Sequence, residues 1–194
     1  MSFVDLAPAA ARLLSIFKWK RVGAISESID RDTTTLQKIL KIASSKYSVK
    51  TTTREQMFLL NSGGDPKVAL DALAAAKTKV FVLQAGPLVA RKVFCAAYQQ
   101  GMMTNDTQWV ITSWYGRHWW RVPDAVVPCS VAEMDEAVRG YLGYELRGQG
   151  EDRSTIPTGE VPSEWFKRYD KHTAVEVVGL RRWRCVCRGG WGVT

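Results

Sequence analysis

The stretch that decides the fold runs from Lys79 to Trp120, KVFVLQAGPLVARKVFCAAYQQGMMTNDTQWVITSWYGRHWW. Its first seven residues, Lys79 to Ala85, form a continuous apolar run of strand length, the pattern of a strand buried on both faces of a parallel sheet. Gly86-Pro87 breaks the run, and a helix is predicted from Ala90 to about Gln100. A turn around Gly101, Asn105 and Asp106 leads into a second strand, Trp109 to Ser113. Trp114, Tyr115, Trp119 and Trp120 then fall within seven residues after that strand's carboxyl end. In open α/β sheets ligands bind outside the carboxyl ends of the strands, so this aromatic group is the first candidate site.

Working outward, the same alternation continues on both sides. Upstream, Leu6 to Phe17 is predicted helical, Trp19 to Ile25 a strand, and Asp30 to Ser45 a helix with Asp32 and Thr33 as N-cap oxygens. Tyr47 to Leu60, rich in Thr and Val, is predicted as one strand, and Lys67 to Ala76 as a helix after the Asn61–Pro66 turn. Downstream, Ser130 with Glu133 has capping-box spacing and opens a helix to about Arg139. A strand from Gly140 to Arg147 and a short helix from Pro162 to Lys171 follow. The alternation implies a three-layer α/β/α fold around a mostly parallel sheet.

The composition is that of a soluble globular protein: 46% hydrophobic and 24% charged over 194 residues, enough for one well-buried domain. No apolar run reaches membrane-spanning length, and the amino end lacks the form of a secretory signal. The net charge of +8 is concentrated at the carboxyl end. The last sixteen residues, GLRRWRCVCRGGWGVT, carry four of the 27 Lys and Arg and no acid, leaving 23 basic against 19 acidic residues. The rest are spread among acids, so a nucleic-acid partner is not expected. Twelve of those sixteen residues are Arg, Gly, Trp or Cys without periodicity. Residues 1–178 are therefore expected to be folded and 179–194 to be an unstructured or out-of-frame tail.

Nothing in the motifs points to catalysis. There is no dinucleotide fingerprint and no P-loop, and the SGGD of Ser62 to Asp65 is only a turn. Carboxylate pairs such as Asp30/Asp32 and Glu133/Asp135 read as helix-start charges. Four cysteines with only His118 and His172 make no metal set. No cofactor is expected. Asn105-Asp106-Thr107 is a glycosylation sequon in a turn.

Five segments, in order, resemble the extracellular ligand-binding region of metabotropic GABA-B receptors, which are class C G-protein-coupled receptors. They are KWKRVGAI (18–25), ARKVFCAAY (90–98), TQWVITSWYGRHWW (107–120), CSVAEMDEAVRGYLG (129–143) and STIPTGEVPSEWFKRYD (154–170). The Trp119-Trp120 pair looks more like subunit 2, and CSVAEMDEAV more like subunit 1. The resemblance implies a fold that is one lobe, mainly the second, of a type 1 periplasmic-binding-protein-like clamshell. It implies a disulfide between Cys95 and Cys129, a place on the outer face of the plasma membrane, and no enzymatic activity. It also implies that Trp114 is a ligand contact, whereas Tyr115 packs, Trp119 and Trp120 cover the lobe surface and His118 is exposed. The Tyr that the family's second lobe contributes finds Gly86 in this chain, and the agonist subunit's His finds no equivalent, since Leu6 or its neighbourhood stands there. Both departures point to a subunit that does not bind GABA, as subunit 2 does not, or to a diverged paralogue. With one lobe only, the chain alone is expected to bind GABA or a related amino-acid-like ligand weakly or not at all. A second receptor subunit is the implied partner, and a G protein only through a transmembrane domain. The alternative is a soluble flavodoxin-like α/β domain that binds a small molecule or acts as an enzyme, with no receptor role.

Overall fold

The computed structural model describes residues 7–53, 57–61, 63–112, 115 and 118–144. Six strands form one sheet in which every pairing is parallel. They are β1 (Arg21–Glu27), β2 (Lys50–Thr51), β3 (Phe58–Leu60), β4 (Val80–Gln84), β5 (Gln108–Thr112) and β6 (Leu142–Tyr144). The order is β2-β1-β4-β5-β6, with β3 also on β1. The helices are α1 (Ala7–Ile16), α2 (Asp30–Tyr47), α3 (Lys67–Ala75), α4 (Pro87–Gln99) and α5 (Val131–Ala137). One 3-10 turn, Trp119–Arg121, precedes α5.

The alternation of side chains along each strand sorts the core into two layers. Ile25, Phe81, Leu83, Trp109 and Ile111 face α3, α4 and α5 and pack with Leu70, Leu73, Phe94 and Met134. Val22, Ala24, Val80, Val82 and Val110 face the other way, against Leu14, Leu36 and Ile39 of α1 and α2. The fold is thus the expected α/β arrangement, with helices on both faces of a parallel sheet. Gly23 is required by close approach on the first face: a Cβ there would stand 2.5 Å from Leu73 Cδ2 and 2.9 Å from Thr78 Cγ2. No helix among the described residues is long and apolar enough to cross a membrane.

Four local expectations are corrected. Tyr47 to Leu60 is not one strand. α2 runs on to Tyr47 and ends with Ser48 in the left-handed region (φ 57°), and the edge then splits into β2 and β3. Between them Thr side chains compete with the ladder for backbone partners: Thr51 Oγ1 donates to Thr53 O and Thr52 Oγ1 to Val22 O. Second, β1 starts at Arg21 rather than Trp19, because Lys18 turns left-handed (φ 57°) after α1. Third, Asp32 and Thr33 do not cap α2. The helix opens at Asp30 behind Ile29, which makes no side-chain cap, while Thr33 Oγ1 bonds Glu27 O and Asp32 turns inward. Fourth, α4 begins at Pro87, whose fixed φ suits the first helical turn. The Ser130–Glu133 capping box is present in full. The strand expected from Gly140 to Arg147 is described only as Leu142–Tyr144. The helix expected from Pro162 to Lys171 and the tail after Val178 lie outside the described residues.

The carboxyl edge of the sheet as a candidate ligand site

The carboxyl ends of β1, β4, β5 and β6 finish on a row of polar residues. Ser26 is in register with Gln84 and Thr112 with Tyr144. Since Leu83 pairs with Ile111, the next rung sets Gln84 beside Thr112. Ser26, Gln84 and Thr112 are each 0% exposed, which is unusual for polar side chains unless they are bonded. A chain of hydrogen bonds supplies most of the partners. Tyr144 Oη donates to Gln84 Oε1 at 2.6 Å, and Gln84 Nε2 donates to Asp32 Oδ1 at 3.2 Å. Arg31 closes the chain with Nε and an Nη on the two Asp32 oxygens, at 3.1 and 3.2 Å. Asp32 is therefore a fully buried anchor and not the surface helix-start charge its spacing suggests. Thr112 Oγ1 has no hydrogen-bond partner among the described residues.

Glu27, 7% exposed at the end of β1, reaches across to α4. Its Oε2 accepts from the Gly86 amide at 2.7 Å, so a carboxylate occupies the positive end of that helix. A Cβ at residue 86 would lie 3.1 Å from the same oxygen. Gly86 is thus matched to Glu27, and a larger residue there would press on the carboxylate. Tyr115 donates its hydroxyl to Ala85 O beside this pair. Burial, then the charges of Asp32, Tyr144 and Glu27, push the Tyr115 phenol well above its ordinary range. Burial, followed by Asp32, does the same to Tyr144. The Arg31 guanidinium is held charged by its bond to Asp32. The edge is thus a layer of mutually bonded acceptors and neutral phenols, from which Tyr115 and the Arg31 guanidinium keep the most exposure to solvent. No group of His, Cys, Asp and Glu suited to a metal occurs among the described residues.

The aromatics beyond β5 divide. Trp119 is 6% exposed and belongs to the core, 4.6 Å from Tyr115 and 6.0 Å from Phe94 between ring centroids. This corrects the expectation that it covers the lobe surface. Trp120 is half-buried and donates Nε1 to Asp135 Oδ1 at 2.7 Å. His118 is exposed and left-handed, with φ 56°. Trp114 lies outside the described residues, between Thr112 and Tyr115 in the chain. The loop after Trp120 is tied down twice over. Cys95 and Cys129 are disulfide-bonded, with Cα atoms 5.7 Å apart. Arg91, 5% exposed on α4, donates to Val122 O and pairs with Asp124 at 3.2 Å. Sequence reasoning passed over Arg91 because its partners are more than thirty residues away.

Asn105 is exposed in a turn at the opposite, amino end of β5. Thr107 Oγ1 accepts from Thr104 N at 3.0 Å and donates to Met102 O, while Lys79 pairs with Asp106. A cavity of about 180 Å³ lies on that side, lined by Asn105, Gln108, Trp109, Arg139 and Tyr141 among others. It is remote from the polar row.

Comparison with known proteins places these features in a family. Residues 2–155 match the family model described as receptor family ligand binding region. The chain is 27% identical over 139 residues to Gamma-aminobutyric acid type B receptor subunit 1 of Mus musculus, covering 72% of this chain and 14% of that protein. It is 23% identical over 166 residues to subunit 2 of Homo sapiens, covering 84% and 17%. Against subunit 1 of Caenorhabditis elegans it is 28% identical over 139 residues, covering 71% and 15%. The chain thus spans about one seventh to one sixth of the length of these relatives. With a parallel α/β sheet, a polar carboxyl edge and a family match over most of its length, the chain belongs to the receptor family ligand binding region.

Proposed function

We propose that this chain forms the second lobe of the extracellular ligand-binding region of a GABA-B-type receptor, on the outer face of the plasma membrane. The observation that carries this reading is the polar edge formed by Glu27, Gln84, Tyr115 and Tyr144 at the carboxyl ends of a parallel sheet, in a chain of that family. It acts by closing on an amino-acid-like ligand held mainly by another lobe, and that closure moves a partner subunit and, through a transmembrane domain, a G protein. Trp114, two positions beyond the end of β5, is the aromatic contact from this side. Gly86 with Glu27 against its amide stands where the family's agonist subunit has a Tyr, which favours weak or absent GABA binding and a role like that of subunit 2. Asn105, exposed and at the far end of β5 from the cleft edge, carries a glycan that leaves closure unhindered. Residues 1–178 make up the receptor part and 179–194 a tail foreign to it.

The test is a chimaera in which residues 7–144 replace the matching segment of mouse subunit 1, co-expressed with subunit 2. The chimaera should reach the cell surface and respond to GABA less sensitively than its parent. Trp114→Ala should weaken the response by about a further tenfold, within the range of one aromatic ring against a cation. A surface-expressed chimaera whose GABA response is unaffected by Trp114→Ala removes the ligand contact. If this chimaera and the matching one in subunit 2 both reach the cell surface and neither supports a response, the receptor reading is removed.

A further inference from the structure

Charge in this fold is divided by place. Residues 7–53 carry nine Lys or Arg against three acids, Glu27, Asp30 and Asp32. All three acids stand at the carboxyl edge, at the end of β1 and in the first turn of α2. Five of the cations gather at the opposite end. Lys18 and Lys20 lie between α1 and β1, Arg21 opens β1, Lys46 lies in the last turn of α2, and Lys50 opens β2. Sheet pairing brings them side by side: Arg21 is in register with Lys50, and Lys50 N donates to Lys20 O at 2.9 Å. All five are exposed. The helix macrodipole accounts for Lys46, and for Lys18 just beyond α1, but not for Lys20, Arg21 and Lys50.

Five cations elsewhere in the fold are matched, whereas Arg12, Lys38, Lys41 and Lys77 also pair with no carboxylate among the described residues, so clustering rather than lack of a partner sets the basic end apart. Lys67 pairs with Asp71, Lys79 with Asp106, Arg91 with Asp124, Arg121 with Asp135 and Arg139 with Glu136. Among the described residues, no carboxylate pairs with Lys18, Lys20, Arg21, Lys46 or Lys50. Set among them is an aromatic platform. Phe17 and Trp19 stack at 4.7 Å with planes 14° apart, and Phe17 is 43% exposed beside Ile16 at 64%. Unpaired cations around a solvent-facing aromatic stack fit a polyanion with flat, apolar faces between its charges.

We infer that this end of the fold binds a linear sulfated polysaccharide, with sulfates on Lys18, Lys20, Arg21, Lys46 and Lys50 and sugar rings against the Phe17–Trp19 stack. The choice among polyanions rests on the extracellular reading above. Outside the cell a basic surface meets sulfated glycans, whereas the strongly negative lipid leaflet is the cytoplasmic one. The binding is electrostatic in origin and releases counterions, so it weakens steeply with salt in proportion to the number of cations engaged.

The experiment measures the full chain on immobilised heparin across a sodium chloride series. Lys18→Glu/Lys20→Glu/Lys50→Glu is compared with Lys67→Glu/Lys77→Glu/Lys79→Glu, an equal charge change elsewhere that keeps the same carboxyl-terminal arginines. The first set should lose about tenfold or more in affinity at physiological salt, with a shallower salt slope; the second should lose much less. Phe17→Ala/Trp19→Ala should weaken binding without changing the slope. Near-UV circular dichroism confirms folding, and Lys→Gln at the same three positions replaces the reversal set if that set misfolds. Equal losses in both triple sets overturn the inference, as does wild-type binding to desulfated heparin, phosphatidylserine vesicles or duplex RNA as tight as to heparin. Because neither GABA nor a partner subunit is present, failure of the receptor chimaera leaves this result standing, and the reverse also holds.

Discussion

Tyr144 sets its hydroxyl 2.6 Å from Gln84 Oε1 at a position 3% exposed. Removing that donor strands a buried amide oxygen, and an unmade buried hydrogen bond costs about 1–3 kcal/mol. Tyr144→Phe should therefore lower the urea midpoint by the equivalent of about 1–3 kcal/mol. The pH dependence has a definite sign. Burial holds Tyr144 and Tyr115 above the ordinary phenol value of 10.0, so above that pH the unfolded chain loses protons that the folded chain keeps. Their contribution is complete below about pH 10 and declines as pH rises beyond it. Tyr144→Phe should flatten this alkaline decline, and a wild-type midpoint with an unchanged decline would show that the bond contributes nothing. Residues of this kind were not legible in the sequence. Gln84–Asp32 and Glu27–Gly86 span 52 and 59 residues, and Asp32 near the start of a helix looks like any other surface acid until the fold buries it.

Among the elements, the segment from Trp119 through α5 depends on ties of very different strength. Asp135 accepts from Arg121 and Trp120, and the Arg121 bond, followed by that of Trp120, holds its carboxyl below the usual carboxylate range. That contribution is present at neutral pH and is lost as pH falls through the lowered value. Both groups face water, and exposed pairs contribute little. The Cys95–Cys129 bridge closes a 34-residue separation and restricts the unfolded chain by about 2–4 kcal/mol. The covalent tie should dominate. Cys95→Ser/Cys129→Ser should lower stability by about 2–4 kcal/mol and expose the segment 121–130 to protease while β4 and β5 keep their amide protection. Arg121→Ala should do much less, and the opposite ranking would show that the clasp rather than the bridge holds the loop. The sequence announced this region partly. Ser130 and Glu133 carry a local signal, as does the Lys79–Ala85 run. The Thr-rich stretch from Tyr47 to Leu60 does not, because its break depends on how an edge strand shares β1. Nor could the spacing of four aromatics tell that Trp119 belongs to the core.

At the scale of the whole molecule, the parallel order β2-β1-β4-β5-β6 gathers acids, phenols and one guanidinium at one edge and unpaired cations at the other. The alternation of elements made the sheet foreseeable, but the polarity between its ends appears only once the strands are set in register. It also bounds what the chain can do alone. Binding sites for small molecules bury about 70–90% of the ligand surface, and a carboxyl edge supplies one wall. A zwitterion resting there keeps much of its hydration and still forfeits its freedom of motion, at a cost of several kcal/mol. Glu27, already bonded to the Gly86 amide, further removes that amide as an anchor for a ligand carboxylate. On the receptor reading, the full chain alone should give no saturable heat with millimolar GABA and no shift of the Trp114 indole resonance. A calorimetric Kd below about 1 mM would mean that the edge binds without a second wall. Closure around a ligand held elsewhere would then no longer describe how this lobe works.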